Sequence, residues 1–358
     1  MVRWRTGTVT RHRNTWKGAV ELDIELDPRA PDDPPHVKAL AYTDLVGTPR
    51  PGDRVILNTN ALKAGLGTGG YAHVIAIPDN LPADSDSPGH IVKARYSPLQ
   101  TMLLAADEEA SPHRETLATA DDIDGMPVVT ADLHSALPAI LAGIHQTRPG
   151  TRVAYVMSDG GALPAAFSRT LDALAPHLTG TVTIGQAFGG DLESTNIHTG
   201  LLAARHALRA EITITTQGPG NLGTGTTWGF SGTSTGEAIN ATHTLGGRPI
   251  GALRVSDADK RSRHVGISHH SITAYGRVAL AQADLVLPEG LDPELKALID
   301  TQLPALTRHR VITVGTTGLD QALRDLPVKL STMGRGLDAD HAYFLTNAAT
   351  GRHAAHLL

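Results

Sequence analysis

The larger part of this sequence alternates short β-branched runs with longer helical segments. From His90 onward, "MPVVT" precedes "ADLHSALPAILAGIHQ" and "RVAYVMSD" precedes "ALPAAFSRTLDALAPHL", and the pattern recurs to the end. Such alternation is typical of crossover units, in which a helix carries the chain to the next parallel strand. It predicts an α/β fold with a Rossmann-like, mainly parallel sheet and helices on both faces. We expect the first strand in "HIVKARY", followed by a helix that Ser97 caps and Pro98 begins, and the last strand in "VKLSTMG".

Residues 1–88 have a different pattern. Five short β-like runs, among them "AVELDIEL" and "DRVILNT", are separated by segments rich in Pro, Gly and Asp such as "DPRAPDDPP" and "GLGTGG". Evenly spaced short strands with such separators predict a small β-barrel or sandwich. The segment "NLPADSDSPG", Asn80 to Gly89, has the composition of a linker. We therefore expect one domain over residues 1–88 and the α/β domain over residues 89–358.

The composition excludes several classes of site. The chain has no cysteine, which rules out disulfides, thiolate metal sites and cysteine nucleophiles. Its formal net charge of −5 and the lack of a long basic stripe argue against nucleic-acid binding. We find neither a signal-peptide region nor an apolar run of about eighteen residues, so we expect a cytoplasmic protein that does not enter a membrane. The sequence leaves open whether copies of the chain form a homo-oligomer.

Glycines, carboxylates, histidines and arginines accumulate directly after the predicted strands. "SDGGALP" follows "RVAYVM", "QAFGGDLES" follows "TVTIG", and "SDADKRSRHVGISHHS" follows "GALRV", whereas the segments before the strands are plain. In an open α/β sheet, ligands bind outside the carboxyl ends of the strands. We therefore expect these loops to line one crevice that binds a small anionic or polar molecule.

The loop after "EITITT" reads "QGPGNLGTGTTWGFSGTSTG". Gly218, Gly220 and Gly223 satisfy the G-x-G-x-x-G pattern of dinucleotide sites. However, the loop follows a late strand, and the acidic residue after the next strand, Asp257, lies farther away than the usual spacing of about 20 residues. Three interpretations stay open: a dinucleotide site, a site for another anion or polar ligand, and a purely structural turn.

"RHVGISHHS" contributes three histidines, His264, His269 and His270. Histidine exchanges protons near neutral pH, so His269 is the acid–base candidate. We expect the adjacent His269 and His270 to point in different directions, so that only one of them reaches a ligand. Alternatively, Ser268 only caps a helix and the histidines are solvated. A metal ion is a further alternative, with ligands drawn from Asp159, Asp191, Glu193, Asp257, His264 and His269.

Several long strings of this chain resemble an actinobacterial family of unknown function, and the resemblance covers nearly its whole length. The strings are "GLGTGGYAHV", "VMSDGGALP", "GQAFGGDLES", "GPGNLGTGT", "RHVGISHHS" and "TMGRGLDAD". The resemblance implies no activity, cofactor or catalytic residue, because the family has none assigned.

Two functions from different classes fit these observations. The first is a hydrolase or transferase for a small anionic or polar metabolite, in which Asp159, Asp191 or Glu193 orients the substrate or a cation and His269 transfers protons. The second is a non-catalytic ligand sensor or assembly subunit. No cofactor is identified. The predicted ligand-binding residues are Gly160, Gly161, Gly189, Gly190, Gly218, Gly220, Asn221, Gly223, Thr224, Gly225, Thr226, Asp257, Arg261, Arg263, His264 and Arg335.

Overall fold

The computed structural model describes residues 2–66 and 69–358, which form two compact units. The first unit comprises Met1–Leu103 and Ala166–Asp172, and the second comprises Leu104–Ala165 and Ala173–Leu358. Residues 67 and 68, in the predicted "GLGTGG" turn, lie outside the described residues. Among the helices described, none has both the length and the apolar composition needed to cross a bilayer.

A closed five-stranded barrel occupies the N-terminal region and confirms the prediction of a small barrel there. Neighbouring strands follow the order β1-β2-β3-β5-β4, and β4 pairs back with β1. Alternate side chains of β2, such as Val20, Leu22 and Ile24, are buried in the barrel core, as the period of a strand requires. The elements are β1 Trp4–Trp16, β2 Ala19–Leu26, β3 His36–Tyr42, α1 Thr43–Val46, β4 Arg54–Asn58, α2 Asn60–Lys63 and β5 Tyr71–Ala76.

The segment "HIVKARY" does not start the parallel sheet, which corrects the prediction. Its strand β6, Ile91–Lys93, pairs antiparallel with β7, Thr101–Leu103, in a separate two-stranded sheet. The helix expected after Ser97 is also absent from this described segment. Ala94 and Tyr96 adopt positive φ angles of 49° and 56°, which reverse the chain, and the Ser97 hydroxyl donates back to the Ala94 carbonyl instead of capping a helix.

Eight parallel strands form the sheet of the second unit, as predicted. Their order is β11-β10-β9-β12-β8-β13-β16-β17, so the first strand of the unit, β8, lies inside the sheet between β12 and β13. Every neighbouring pair is parallel. The strands are β8 Pro127–Thr130, β9 Val153–Ser158, β10 Gly180–Thr183, β11 Leu192–Glu193, β12 Ile212–Gln217, β13 Arg248–Gly251, β16 Asp284–Pro288 and β17 Arg310–Val314, with a small hairpin of β14 Val255–Ser256 and β15 Gly266–Ile267 after β13.

Helices cover both faces of the sheet. The crossover from β8 to β9 and the crossover from β12 to β13 run in opposite directions, so right-handed connections place α4 and α7 on opposite faces. Helices α10 and α11 pack with α4, and α6 packs with α7. The helices are α3 Arg114–Leu117, α4 Leu137–Thr147, α5 Arg169–Leu174, α6 Ile197–Leu202, α7 Ser234–Thr244, α8 His269–Thr273, α9 Pro293–Gln302, α10 Leu319–Arg324 and α11 His341–His356.

The prediction of a last strand in "VKLSTMG" is wrong. The segment forms a tight turn in which Thr332 and Arg335 exchange backbone hydrogen bonds of 2.8 Å. Met333 and Gly334 adopt φ angles of 47° and 81° at the centre of this turn, which no extended strand allows. The sheet instead ends at β17, and the turn leads into α11.

Candidate active site

Four neighbouring strands at the centre of the sheet, β9, β12, β8 and β13, deliver their exit loops to one edge. The connections of β9 and β8 leave in one direction across the sheet, and those of β12 and β13 leave in the other. Such divergence opens a crevice at the carboxyl ends of the strands. The predicted site residue Asp159 directly follows β9, and the predicted site residue His269 lies beyond β13, after the β14–β15 hairpin.

Three imidazole rings meet beyond β13. The rings of His264, His269 and His270, called here the histidine cluster, have centroids 4.4–4.9 Å apart. One ligand nitrogen from each ring lies within 4.8 Å of the other two. The sequence interpretation expected the rings of His269 and His270 to diverge, and this is wrong, because both rings lie against His264.

Local structure explains why the rings converge. The β14–β15 hairpin returns the chain so that His264, on a 3-10 turn, precedes α8 by only a few residues. Ser268 caps α8 as predicted, because its hydroxyl accepts from the His270 amide at 3.2 Å. The same hydroxyl shares a 2.7 Å hydrogen bond with Nδ1 of His264. The cap therefore fixes the helix start and one ring of the cluster together.

Two neighbours that the sequence analysis did not single out complete the cluster. Asp132, at the exit of β8, places its Oδ2 3.5 Å from Nδ1 of His270. Phe230, at the end of the glycine-rich loop, stacks on the His270 ring with centroids 3.9 Å apart and an interplanar angle of 3°. Gln217, the last residue of β12, donates from Nε2 to the Asp132 carbonyl at 2.6 Å. Loops from three strands thus build one site.

Burial lowers the pKa of two imidazoles of the cluster, those of His264 and His269. Desolvation, with smaller contributions from Arg254 and other nearby cations, lowers the pKa of His264 to about 3. Desolvation and the neighbouring His270 lower the pKa of His269 to about 4. At neutral pH both of these rings are therefore uncharged, and each can accept a proton or a hydrogen bond at one nitrogen.

Two of the three predicted arginines, Arg261 and Arg335, form ion pairs with carboxylates. Arg261 forms two hydrogen bonds, 3.0 and 2.9 Å, with Asp259, and Arg335 reaches both Asp259 and Asp340. The buried Arg254 lies 3.5 Å from the same Asp259. The hydrogen bonds from Arg261 are the main reason that the pKa of Asp259 is far below its usual value. Asp259 is therefore the centre of an ion-pair network beside the histidine cluster.

Arg263 and Asp257 differ from these residues because both are exposed. The Arg263 guanidinium lies beside Gly225 of the glycine-rich loop. Asp257 raises the pKa of Asp340 only as the smallest of several contributions, the largest being burial of Asp340 itself. Of these two, only Arg263 is placed where it could meet an anionic group at the loop.

A cavity of about 230 Å³ lies at the exits of β9, β10 and β12. Asp159, predicted as a site residue, lines it and accepts from the Gln186 amide at 2.8 Å. Ala131 also lines the cavity, and the next residue, Asp132, contacts the histidine cluster. The polar side chains of the lining are Ser158, Asp159, Thr195, Asn196, Thr215, Thr216, Gln217, Ser234, Thr235 and Glu237.

Two predicted carboxylates lie far from the histidines. Asp191 accepts from the Thr181 amide at 2.9 Å, and Glu193 accepts from the Gly189 amide at 2.7 Å. Both belong to β11 or its approach, and β11 is the edge strand, five positions from β13. At about 4.8 Å per strand this separation is about 24 Å. The predicted metal set does not converge: of its members, only His264 and His269 come together.

The predicted glycines near β9 and β11 serve close backbone packing. A side chain at Gly161 or Gly218 would overlap the neighbouring loop, because the Gly161 position faces the Gly218 carbonyl and Gly218 faces that of Ala162. A side chain at Gly190 would contact backbone atoms of Thr181 at 2.8 Å. Gly160 faces the Gln217 side chain. Gly189 has a φ of 88°, which favours glycine.

The glycine-rich loop closes on itself. Thr224 donates from its amide to the Gly229 carbonyl at 2.7 Å, and the Thr226 hydroxyl accepts from the Gly229 amide at 3.1 Å. Gly220 and Gly225 take φ angles of 94° and 82° at the bends. Gly223 pairs with Phe230 in an antiparallel bridge, and Asn221 accepts from the hydroxyl of Ser231 at 3.0 Å and from the side chain of Gln217 at 3.3 Å. These contacts favour the structural-turn interpretation for residues 221–230.

The comparison with known proteins gives a family and no activity. The sequence model of a family described as protein of unknown function, DUF3866, matches residues 38–351. The chain belongs to this family. The predicted resemblance to a family without assigned activity is thereby confirmed, and neither a curated protein nor a solved structure matches the chain.

The matched region of this DUF3866 protein includes the whole parallel sheet and the histidine cluster. The residues that sequence reasoning missed are Asp132, Phe230 and Arg254. A signal was available for Asp132, because "ADLHS" follows a predicted strand just as the other site loops do. The His134 ring of the same string forms a 2.9 Å hydrogen bond with the Tyr155 hydroxyl.

Proposed function

We propose that this DUF3866 protein is a cytoplasmic enzyme, a hydrolase or transferase, that acts on a small polar metabolite at the carboxyl edge of its sheet. The observation that supports this most is a group of buried polar atoms without a hydrogen-bond partner in the described structure: Oδ2 of Asp132, Nε2 of His269, Nδ1 of His270 and Oε1 of Gln217.

Leaving these atoms unpaired is costly. Each buried polar atom without a partner costs about 1–3 kcal/mol, and the net stability of a folded domain is only about 5–15 kcal/mol. A sequence selected only for stability would remove such groups, so four of them at the exits of β8, β12 and β13 indicate that they are kept for a ligand or a reaction.

The cavity of about 230 Å³ is the proposed substrate site. Its lining combines hydroxyl, amide and carboxylate groups, with Asp159 on one side and Thr235 on the first turn of α7 on the other. Such a lining suits a metabolite with several hydroxyl or amide groups. Arg261 and Arg335 are committed to Asp259 and Asp340, so an anionic group of the substrate would have to meet Arg263.

The histidine cluster with Asp132 is the proposed reactive centre. An imidazole whose pKa is about 4, as for His269, is uncharged at neutral pH and can accept a proton or bind an electrophile. Asp159 would orient the substrate in the cavity. Asp191 and Glu193 have no part in the proposal, because their carboxylates accept from backbone amides at the far edge of the sheet.

The test combines binding and turnover. A library of polar metabolites is screened by thermal shift, and each hit is incubated with the protein and followed by NMR. We expect Thr235→Val, which removes a hydroxyl from the cavity, to weaken binding of a hit about tenfold, the value of one hydrogen bond. We expect Asp132→Asn to retain binding and to lose most of the turnover.

Thr244→Val is the matched control, because Thr244 lies on the same helix but is exposed at its other end. Thr244→Val should change neither the binding of a hit nor its turnover. A hit that binds in the cavity and is never converted, by wild type or variant, would support a ligand sensor instead. Hits that bind Thr235→Val and wild type equally would place the substrate elsewhere and overturn the proposal.

A further inference from the structure

The histidine cluster has the composition of a transition-metal site. It offers three imidazole nitrogens within 4.8 Å of one another, and Oδ2 of Asp132 lies 3.5 Å from Nδ1 of His270. Imidazole binds zinc and its neighbours in the first transition row, whereas magnesium and calcium prefer oxygen ligands. Catalytic zinc sites commonly have three protein ligands and a fourth position for water or substrate.

We propose that His264, His269 and His270, together with Asp132, bind one divalent transition-metal cation of the zinc type. This inference goes beyond the proposed function, because cation binding is measured without any substrate.

The unpartnered atoms are the ones a cation needs. Within the described residues, Nε2 of His269, Nδ1 of His270 and Oδ2 of Asp132 are all buried and lack a hydrogen-bond partner. The side chains of Asp132 and His270 are only 7% and 8% exposed. They approach each other at 3.5 Å without forming a hydrogen bond, which leaves both lone pairs available to a third group. A cation between them would satisfy both.

The surroundings orient the ligands as metal sites require. Nδ1 of His264 is engaged by the Ser268 hydroxyl at 2.7 Å, which leaves Nε2 of that ring as the ligand atom. Phe230 stacks on His270 and fixes its ring plane. Zinc–nitrogen bonds of about 2.0–2.1 Å need ligand atoms about 3.3 Å apart, so small side-chain rotations suffice to close the site.

An anion fits this centre less well. Arg261 and Arg335 pair with the carboxylate of Asp259, and Arg254 lies 3.5 Å from Asp259 and 3.9 Å from Asp132. The acidic side chain of Asp132 beside His270 supplies an oxygen ligand, which favours a cation over an anion.

The experiment measures binding of Zn²⁺ and Co²⁺ to the full untagged chain after removal of metals with a chelator. Isothermal titration and elemental analysis should give one tightly bound ion per chain, and Co²⁺ should show the visible absorption of a site with nitrogen ligands. Mg²⁺ at the same concentration should not compete. His269→Gln and Asp132→Asn should each weaken Zn²⁺ binding by about 100-fold or more.

His206→Gln is the matched control. His206 belongs to an exposed group with Asp122 and Asp124 that has similar spacing, and removing it should leave the tight site unchanged. Both His269→Gln and His206→Gln should melt at the wild-type temperature in the presence of chelator, which separates loss of binding from loss of fold. Absence of tight binding, competition by Mg²⁺, or a tight site lost in His206→Gln and kept in His269→Gln would each overturn the proposal. Zinc binding without turnover of any substrate would keep this proposal and count against the proposed function.

Discussion

At the scale of single residues, two buried aspartates near the same strand exits differ in what satisfies them. Asp259 is surrounded by guanidinium groups of Arg254, Arg261 and Arg335. Asp132 keeps one oxygen without a hydrogen bond beside His270. The first arrangement satisfies the carboxylate within the loop, whereas the second leaves the oxygen that we propose binds a cation. Their roles therefore follow from their partners and not from their burial.

Asp259→Ala should destabilise the protein by about 3 kcal/mol. The change leaves Arg254, only 3% exposed, without its close carboxylate, and an unpaired buried charge costs about 3–5 kcal/mol. We expect the lower value of this range because the carboxylate of Asp132 remains 3.9 Å from Arg254. Urea unfolding at neutral pH measures the difference. Asp338→Ala, which removes a carboxylate that is 79% exposed and paired with Arg324, should cost less than about 1 kcal/mol. Equal costs for both variants would contradict this account.

The interactions of Asp259 with its arginines also predict that the free energy of unfolding depends on pH. The pKa of Asp259 is lowered in the folded chain, chiefly by its hydrogen bonds from Arg261, so the carboxylate is ionised in both states above its ordinary value of 3.8. Its contribution is complete there and is lost as the pH falls below 3.8, because the unfolded chain binds the proton first. The difference between wild type and Asp259→Ala should therefore shrink in acid.

The sequence predicted the residue types in the strand-exit loops more readily than it predicted which of those residues lie close together in the structure. "RHVGISHHS" marked the histidines, and the exits of the strands marked the edge of the sheet beyond which they lie. That His264 and His270 meet depends on the β14–β15 hairpin, whose two-residue strands have no periodicity to detect. That Asp132 joins them depends on β8 lying next to β13, which is a property of strand order rather than of local sequence.

At the scale of elements, helix α11 shows how close packing constrains single positions. It is buried along nearly its whole length and packs on α4. A methyl group at Gly351 would overlap the Ile140 carbonyl, and one at Gly143 would overlap that of Ala348. The overlapping atoms are backbone atoms, which cannot rotate away. The two helices therefore approach each other through glycines.

Gly351→Ala should destabilise the protein by about 1–3 kcal/mol, the cost of overpacking. Helix propensity alone would favour alanine by about 1 kcal/mol, so the sign of the change separates packing from propensity. Thermal and urea unfolding give the measurement. The control is Gly336→Ala, where the nearest atom to the added methyl group is 3.8 Å away and φ is ordinary. A stabilised Gly351→Ala would show that the helices separate easily.

The alternation of strands and helices predicted the elements of the parallel sheet well. The β-branched runs of the strands and the helical periodicity of the crossover segments are both strong in that part of the sequence. The prediction failed where a local pattern was overridden by turns with positive φ, at Ala94 and Tyr96 and again at Met333. Such turns are not encoded by glycine or asparagine at those positions, so composition gave no warning. The edge strand β11 was missed because it is only two residues long.

At the scale of the whole molecule, the described hydrophobic cores separate along the chain. One core cluster lies entirely within residues 9–77, in the barrel, and two others lie within residues 106–342. The chain nevertheless passes between the two compact units more than once, because Ala166–Asp172 belongs to the first unit. Separate cores favour independent folding of the two units. The segment Ala166–Asp172, however, is part of the first unit and lies in sequence between two parts of the second.

A fragment of residues 89–358 should fold without the barrel. The two described core clusters of the second unit are formed from residues of that fragment. Burial of such apolar clusters is the main source of the stability of a domain. We expect cooperative urea unfolding and dispersed amide signals by NMR. A second fragment beginning at Leu104, the first residue of the second unit, should behave in the same way if residues 89–103 contribute little. Insoluble or molten material from both fragments would show that residues 1–88 are needed for the sheet to fold. Success of the shorter fragment alone would instead move the boundary from residue 88 to residue 103.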